Sequence, residues 1–297
     1  GLSDANRAFV VPRAARPSKQ ATMIVFGCVL CDAERPMTIP LKIANASGFY
    51  GDRFVAPREM LTGGDIDVLT GDYLAELTML ILAMGRLKNP DRGYATTFVR
   101  QMEECLGLAM DAGVKIVVNA GGLNPAGLAD RLRELSKGLG VAVEVAHVEG
   151  DDLLGRAHEL GYGSPLAANA YLGAFGIAAA LNVGSDVVVT GRVTDASLVV
   201  GPAAAHFGWS MDDLDSLAGA VAAGHVIECG TQATGGNFAR FTEIADLARP
   251  GFPIAEVFED GSSVITKHDG TGGAVTRDTV TAQLLYEIGG ARYAGPD

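Results

Sequence analysis

Cationic side chains are scarce in this chain, and so are tryptophan and cysteine: 23 Lys and Arg stand against 35 Asp and Glu, with one Trp and four Cys among 297 residues. The resulting formal charge of -12 excludes a diffuse electrostatic grip on nucleic acid or on an anionic membrane, because clustered Lys and Arg supply such binding. An anionic substrate must be held locally. No run approaches the ~18 uninterrupted apolar residues of a membrane span, and the first residues lack the basic-then-apolar order of a secretory signal. A cytoplasmic protein with no membrane partner is expected. Four cysteines do not make a disulfide framework. Cys28 and Cys31 form a single CxxC, but with no second pair or nearby His to complete a tetrahedral zinc set they read as ordinary thiols.

What is present is apolar and glycine-rich: 48% hydrophobic residues and 39 Gly, with only 20% charged. That mixture predicts buried strands joined by tight turns rather than disorder. Residues 1–36 carry scattered Arg, Pro and Ala without periodicity and read as an N-terminal extension or leader. From residue 37 a unit recurs: a short β-branched run, a polar Gly-rich turn, then an amphipathic stretch. The expected pairs are Ile66–Thr70 with a helix from Tyr73 to Leu87, Lys115–Asn119 with a helix from Ala126 to Gly138, Val141–Val148 with Leu153–Leu160, and Asp186–Thr190 with a helix from Ala196 to Phe207. Further helices are expected over Thr97–Ala112, Ala167–Asn182 and Asp278–Ile288. This rhythm predicts an α/β fold, a mostly parallel sheet with helices on both faces (Rossmann-like) over 37–223, and a more irregular strand and Gly-loop C-terminal lobe over 224–297.

Right-handed crossovers place every strand-to-helix turn on one rim, where open α/β sheets bind ligands. That rule nominates Asp72, Asn119, Asn124, Arg192 and Asp195, each a few residues beyond a predicted strand. Asp72, Asn124 and Asp195 have an alternative use as helix caps. In AGGLNPAG, Gly121, Gly122 and Asn124 form a turn able to meet a carboxylate, phosphate or thioester oxygen, although the segment is neither a P-loop nor GxGxxG. In GRVTDAS, Arg192 suits a carboxylate clamp and Asp195 a base, or the two form an internal salt bridge. HVIECGTQATGG offers Glu228 as an acid or base, with Gly235 and Gly236 as a second anion turn. His225 and Cys229 could pair as a nucleophile only in a helix, whereas Val226 and Ile227 suggest strand. Lys267 in ITKHDGTGG is an anion candidate or an ordinary exposed lysine. Asp151 and Asp152 read as turn residues, and a Mg²⁺ at Asp72 and Asp195 has no dedicated spacing behind it, so no metal is expected.

Taken together, KIANASGFYGDR, GGDIDVLTGDYLAE, VVNAGGLNPAG, VEGDDL, VVVTGRVTDASLVVGP, GHVIECGTQATGGNF and ITKHDGTGGAVTRDTVTAQLLYEI resemble the AtuA-like family, named for acyclic terpene utilisation, in order from about Lys42 to Asp297. The resemblance implies a role in the catabolism of citronellol- and geraniol-type terpenes through branched acyl-CoA esters, with coenzyme A entering as part of the substrate, and supplies no catalytic residues. It also implies a small ferredoxin-like partner domain or subunit, since similar proteins continue beyond the segment that stops here at Asp297. The expected function is a hydratase- or lyase-type acid–base enzyme using Asp72, Arg192, Asp195 and Glu228; the alternative is a non-catalytic acyl-CoA-binding or partner-stabilising subunit. As a glycine-rich, acidic α/β protein it is also expected to be a homo-oligomer.

Overall fold

The structure is a computed structural model that describes residues 39–290 and 292–297. The Cys28/Cys31 pair and the expected leader lie outside them. Seven strands form one mixed, mostly parallel sheet: β1 (Leu41–Asn45), β2 (Val68–Gly71), β3 (Lys115–Val118), β4 (Val145–Val148), β5 (Val187–Thr190), β6 (Pro253–Val257) and β7 (Ser263–Lys267), in the order β4-β5-β3-β2-β1-β6-β7. The first five are mutually parallel, and β6 and β7 continue the β1 edge antiparallel. Helices α1 (Ala56–Gly63), α2 (Glu76–Lys88), α3 (Thr96–Ala112), α4 (Pro125–Leu139), α5 (Phe175–Asn182), α6 (Ser197–Phe207), α7 (Leu214–Ile227) and α8 (Arg277–Glu287) surround it.

Strand side chains alternate between two cores, as the two-residue period of a strand requires. Leu69, Ile116, Val118, Val187 and Val189 pack with α1, α3 and α4, while Val68, Val117 and Val188 pack with α5, α6 and α7. Each fully buried valine or isoleucine contributes roughly 1.5–3 kcal/mol. Local signals set the helix ends. Asn124 caps α4 by accepting the Gly127 N–H at 2.9 Å, with Pro125 as its first residue. Thr276 and Thr279 form a reciprocal cap on α8.

The chain steps from β1 through β2 and β3 to β4 with α1, α3 and α4 on one face, then returns through β5 with α5, α6 and α7 on the other. Right-handed crossovers demand this change of face when direction reverses. Between β3 and β5 the outgoing loops therefore part, which opens a crevice at the carboxyl ends of the strands.

Three expectations are corrected. The helix expected over Leu153–Leu160 is a single 3-10 turn, Leu154–Arg156. The helix expected from Ala167 starts only at Phe175, because the preceding segment is bridged across the rim, Asn169 to Asp152 and Leu172 to Val193. Val226 and Ile227 end α7 rather than forming a strand; burial of both against the sheet-side core outweighs their β propensity. The expected boundary at 223/224 thus falls inside α7, and β6 and β7 belong to the main sheet.

Candidate active site

Five strand ends and one helix end deliver polar side chains to the crevice. Asp72 follows β2, Asn119 follows β3, Asp151 lies beyond β4, Arg192 and Asp195 follow β5, Asn45 closes β1, and Glu228 follows α7 directly. Asp72, Asn119, Asp151, Arg192, Asn45 and Glu228 are all buried. Carboxylate oxygens of Asp72, Asp195 and Glu228, which are separated by up to 156 positions in the chain (228 less 72), lie within 4.8 Å of one another.

One cation faces them. The Arg192 guanidinium donates to Asp195 Oδ1 at 2.6 Å and to the Leu74 carbonyl at 3.0 Å, and stacks 4.3 Å from the centre of the Tyr171 ring. Its backbone N–H donates to Asp151 Oδ2 at 2.8 Å. Asp151 approaches this closely because residue 191 is glycine: a Cβ there would stand 2.5 Å from its carboxylate. Asn119 orients Asp72, donating to Oδ1 at 2.6 Å while accepting the Tyr73 N–H at 2.7 Å. The Leu74 N–H donates to the same Asp72 oxygen at 2.9 Å. Asn45 donates to the carbonyls of Ile227 and Glu228, which fastens the end of α7 to β1 and so places Glu228.

The electrostatics follow from burying several carboxylates beside one guanidinium. Burial, reinforced by Asp195 and opposed by Arg192 and the bond from Asn119, pushes Asp72 up to about 7. Burial, then the charges of Asp195, Asp72 and Glu287, drives Glu228 well above the ordinary carboxylate range. Glu228 Oε2 is buried and has no hydrogen-bond partner among the described residues. For Arg192, burial alone would lower the pKa; the Asp195 and Asp72 charges outweigh it and raise the value. Burial also raises the Cys229 thiol, helped by the neighbouring Glu228, and its Sγ–H donates to Glu287 at 3.1 Å.

Beside this cluster lies a cavity of ≈ 320 Å³ lined by Met79, Leu80, Leu166 and Ala167 and, at its polar side, Glu76, Asn169, Tyr171 and Arg192. Tyr171 donates to Glu76 at 2.6 Å and Asn169 to Asp151 at 2.9 Å. Tyr293 meets the His225 ring edge-on at 4.6 Å, and its hydroxyl is held protonated by burial and then by the charges of Glu228 and Asp195.

Of the residues nominated from sequence, Asp72, Asn119, Arg192, Asp195 and Glu228 converge here. Others have different employment. Asn124 caps α4 and donates to the carbonyls of Asp91 and Arg92. A side chain at Gly121 would collide with the Thr190 carbonyl, and one at Gly122 with Leu82 and the Gly93 carbonyl, so both serve close packing. The N–H groups of Gly235 and Gly236 close local turns onto Gln232 and Thr231. Lys267 holds its own loop through Thr271. His225 and Cys229 do lie on a helical spacing, yet His225 Nδ1 faces the Val221 carbonyl and Cys229 faces Glu287, so they form no nucleophilic pair.

Sequence reasoning read Asp151 as a turn residue, whereas it holds the Arg192 N–H and Asn169, and it missed Tyr171, Asn169, Glu76 and Glu287. Asp151 obeys the strand-end rule and was findable; Tyr171 and Asn169 sit in a stretch with helical texture and carry no such signal. No helix among the described residues is long and apolar enough to cross a membrane. No curated protein and no solved structure matches the chain. A family model described as acyclic terpene utilisation family protein AtuA matches residues 41–297, the span that contains the whole sheet and every residue of the cluster, and the chain belongs to that family.

Proposed function

We propose that this protein is an enzyme of acyclic terpene catabolism that acts on a branched carboxylic acid or its coenzyme A thioester by a hydratase- or lyase-type proton transfer. Membership of the AtuA family supports the role in acyclic terpene utilisation. The observation that carries the reaction class is the pairing of one buried guanidinium with a mainly apolar cavity on one side and buried carboxylates on the other. A cavity of this size is at the lower end of small-ligand sites, roughly 300–1,000 Å³.

Each role follows from the chemistry of the side chain. Arg192, held by Tyr171 and Leu74, offers its fork to a carboxylate or thioester oxygen. Met79, Leu80, Leu166 and Ala167 accept the branched hydrocarbon. Dehydration of a β-hydroxy acid requires a base to take the proton from the carbon next to the carbonyl, and an acid to protonate the departing hydroxyl so that it leaves as water; hydration runs the same steps in reverse. Asp72, Asp195 and Glu228 provide such groups from different loops, with Asn119 positioning Asp72. Arg192→Ala would strand buried carboxylates without a counterion and unfold the site. Arg192→Lys keeps the charge and removes the fork. A thermal-shift screen with branched acids and acyl-CoAs should find a ligand that stabilises the native chain and loses at least about tenfold in affinity in Arg192→Lys, a loss of ~1.4 kcal/mol. A ligand bound equally by both forms would remove Arg192 from substrate binding.

A second reading, a non-catalytic subunit that stabilises a partner, is favoured by one feature: α2 exposes Leu77, Leu80, Ile81, Met84 and Leu87 along its outer side. Turnover by the isolated chain rejects it.

A further inference from the structure

The cluster of Asp72, Asp195 and Glu228 has properties that proton transfer alone does not require. The three carboxylates reach one point from β2, β5 and α7. Two are almost wholly enclosed, at 6% exposure for Asp72 and 5% for Glu228, while the Asp195 side chain remains 33% exposed and forms the open side. Like charges at this spacing repel strongly in a poorly solvated interior. The single guanidinium turns one N–H to Asp195 and one to the Leu74 carbonyl and stacks on the Tyr171 ring, which leaves further N–H groups for a substrate oxygen but no second cation for the carboxylates. Three carboxylates against one guanidinium leave a surplus of two negative charges when all are ionised.

The hydrogen bonds are also one-sided. Asp72 is oriented through Oδ1 by Asn119 and the Leu74 N–H, and Asp195 through Oδ1 by Arg192. Neither Oδ2 accepts a hydrogen bond from the described residues, and Glu228 Oε2 is buried with no hydrogen-bond partner among them. A buried carboxylate oxygen left bare costs roughly 1–3 kcal/mol or more, so an occupant that satisfies it is expected. One oxygen of each carboxylate lies within 4.8 Å of one from each of the other two, and carboxylates gathered round a point, with neighbouring donors holding Asp72 and Asp195 in place, are the arrangement of a metal site with its supporting hydrogen bonds.

We infer that Asp72, Asp195 and Glu228 form a binding site for one hard divalent cation, Mg²⁺ or Mn²⁺, at the carboxyl ends of β2 and β5. Oxygen-only ligands from carboxylates select these ions over zinc or copper. Three protein ligands leave coordination positions for water or for a substrate oxygen, and a cation there would polarise a carbonyl beside the Arg192 fork. The site rests on the functional reading and divides its labour anew: carboxylates that hold the cation would move the proton through a water bound to it rather than exchange it themselves, and the cation would add an electrophile.

Binding of the ion itself is the test, on the full chain stripped with EDTA and titrated with Mn²⁺ while the free ion is followed by electron paramagnetic resonance. The expected result is one Mn²⁺ per chain, displaced by Mg²⁺, with affinity reduced at least about tenfold in Glu228→Gln and in Asp72→Asn. Both substitutions preserve shape, and Asn at 72 retains the oxygen that accepts from Leu74 and Asn119. Absence of stoichiometric Mn²⁺ binding to the wild-type chain at millimolar ion overturns the site whether or not the variants fold, and so does binding that both variants keep unchanged. The branched-acid and acyl-CoA screen, repeated in EDTA, separates the two ideas. Organic ligand without Mn²⁺ binding removes the cation and keeps the substrate reading; Mn²⁺ binding without any organic ligand does the reverse.

Discussion

Strands β3 and β5 lie side by side, and their two ends treat charge in opposite ways. At the amino ends, Lys115 meets Asp186 at 2.8 Å, one cation to one anion, with side chains 40% and 28% exposed, and the second Asp186 oxygen accepts the Glu144 N–H. At the carboxyl ends, Arg192 faces Asp72, Asp195 and Glu228 in a largely buried setting, with the buried Glu228 Oε2 lacking a hydrogen-bond partner among the described residues. The first arrangement helps the sheet fold at little cost. The second opposes folding, and a protein retains such a cluster where function requires it.

The largest break in this contrast should come from Arg192→Lys. Removing a bidentate, stacked fork from a buried anion site costs about 2–5 kcal/mol in binding, so the kcat/KM measured on the substrate that the ligand screen identifies should fall by at least about 30-fold. A value within threefold of wild type would place the cation outside the reaction. Filling the cavity comes next. Ala167→Leu projects added carbon into the space between Met79, Leu80 and Leu166, and should raise KM for the longest branched chain by roughly 10–200-fold while sparing short acids. An equal rise for short and long chains would show that the hydrocarbon lies elsewhere.

The smallest effect belongs to the balanced end. Lys115→Met should change unfolding free energy by less than about 1 kcal/mol, since the pair is substantially solvated. Burial raises the Asp186 pKa, but the bonds from Lys115 and the Glu144 N–H outweigh it and leave the folded value below 3.8. Stability from this carboxylate is therefore present above its unfolded pKa and lost as pH falls through the lower folded value. Urea titrations from about pH 2 to 7 should show this acid loss shrinking in Lys115→Met, with the variant's small deficit fully present near neutrality and disappearing in acid; identical pH profiles would deny the pair any role.

The same contrast marks what could be read from the chain. Short β-branched runs ending in GD, NAGG and TGR disclosed the sheet and the rim because strand ends and helix starts have local chemistry. Asp72, Arg192 and Asp195 were legible for that reason, since each stands just past a strand. Glu228 was nominated only by its neighbours, because Val226 and Ile227 look extended until they are seen buried at the end of α7. Tyr171 and Asn169 were not legible: their positions depend on bridges from Leu172 to Val193 and from Asn169 to Asp152, which join segments far apart in sequence. The convergence of three carboxylates on one point is likewise a product of strand order and has no trace in spacing.

The buried, unbalanced carboxylates serve function at the expense of the fold, and Glu228 carries that cost most plainly, since its Oε2 has no hydrogen-bond partner among the described residues. Urea unfolding of wild type and Glu228→Gln in EDTA at neutral pH measures the cost. A Gln amide at that point can donate to the facing Asp72, Asp195 and Glu287 carboxylates, so the variant should be as stable as wild type or more so. A loss of more than about 1–3 kcal/mol, the penalty of breaking a needed buried polar contact, would contradict it and make Glu228 part of the scaffold.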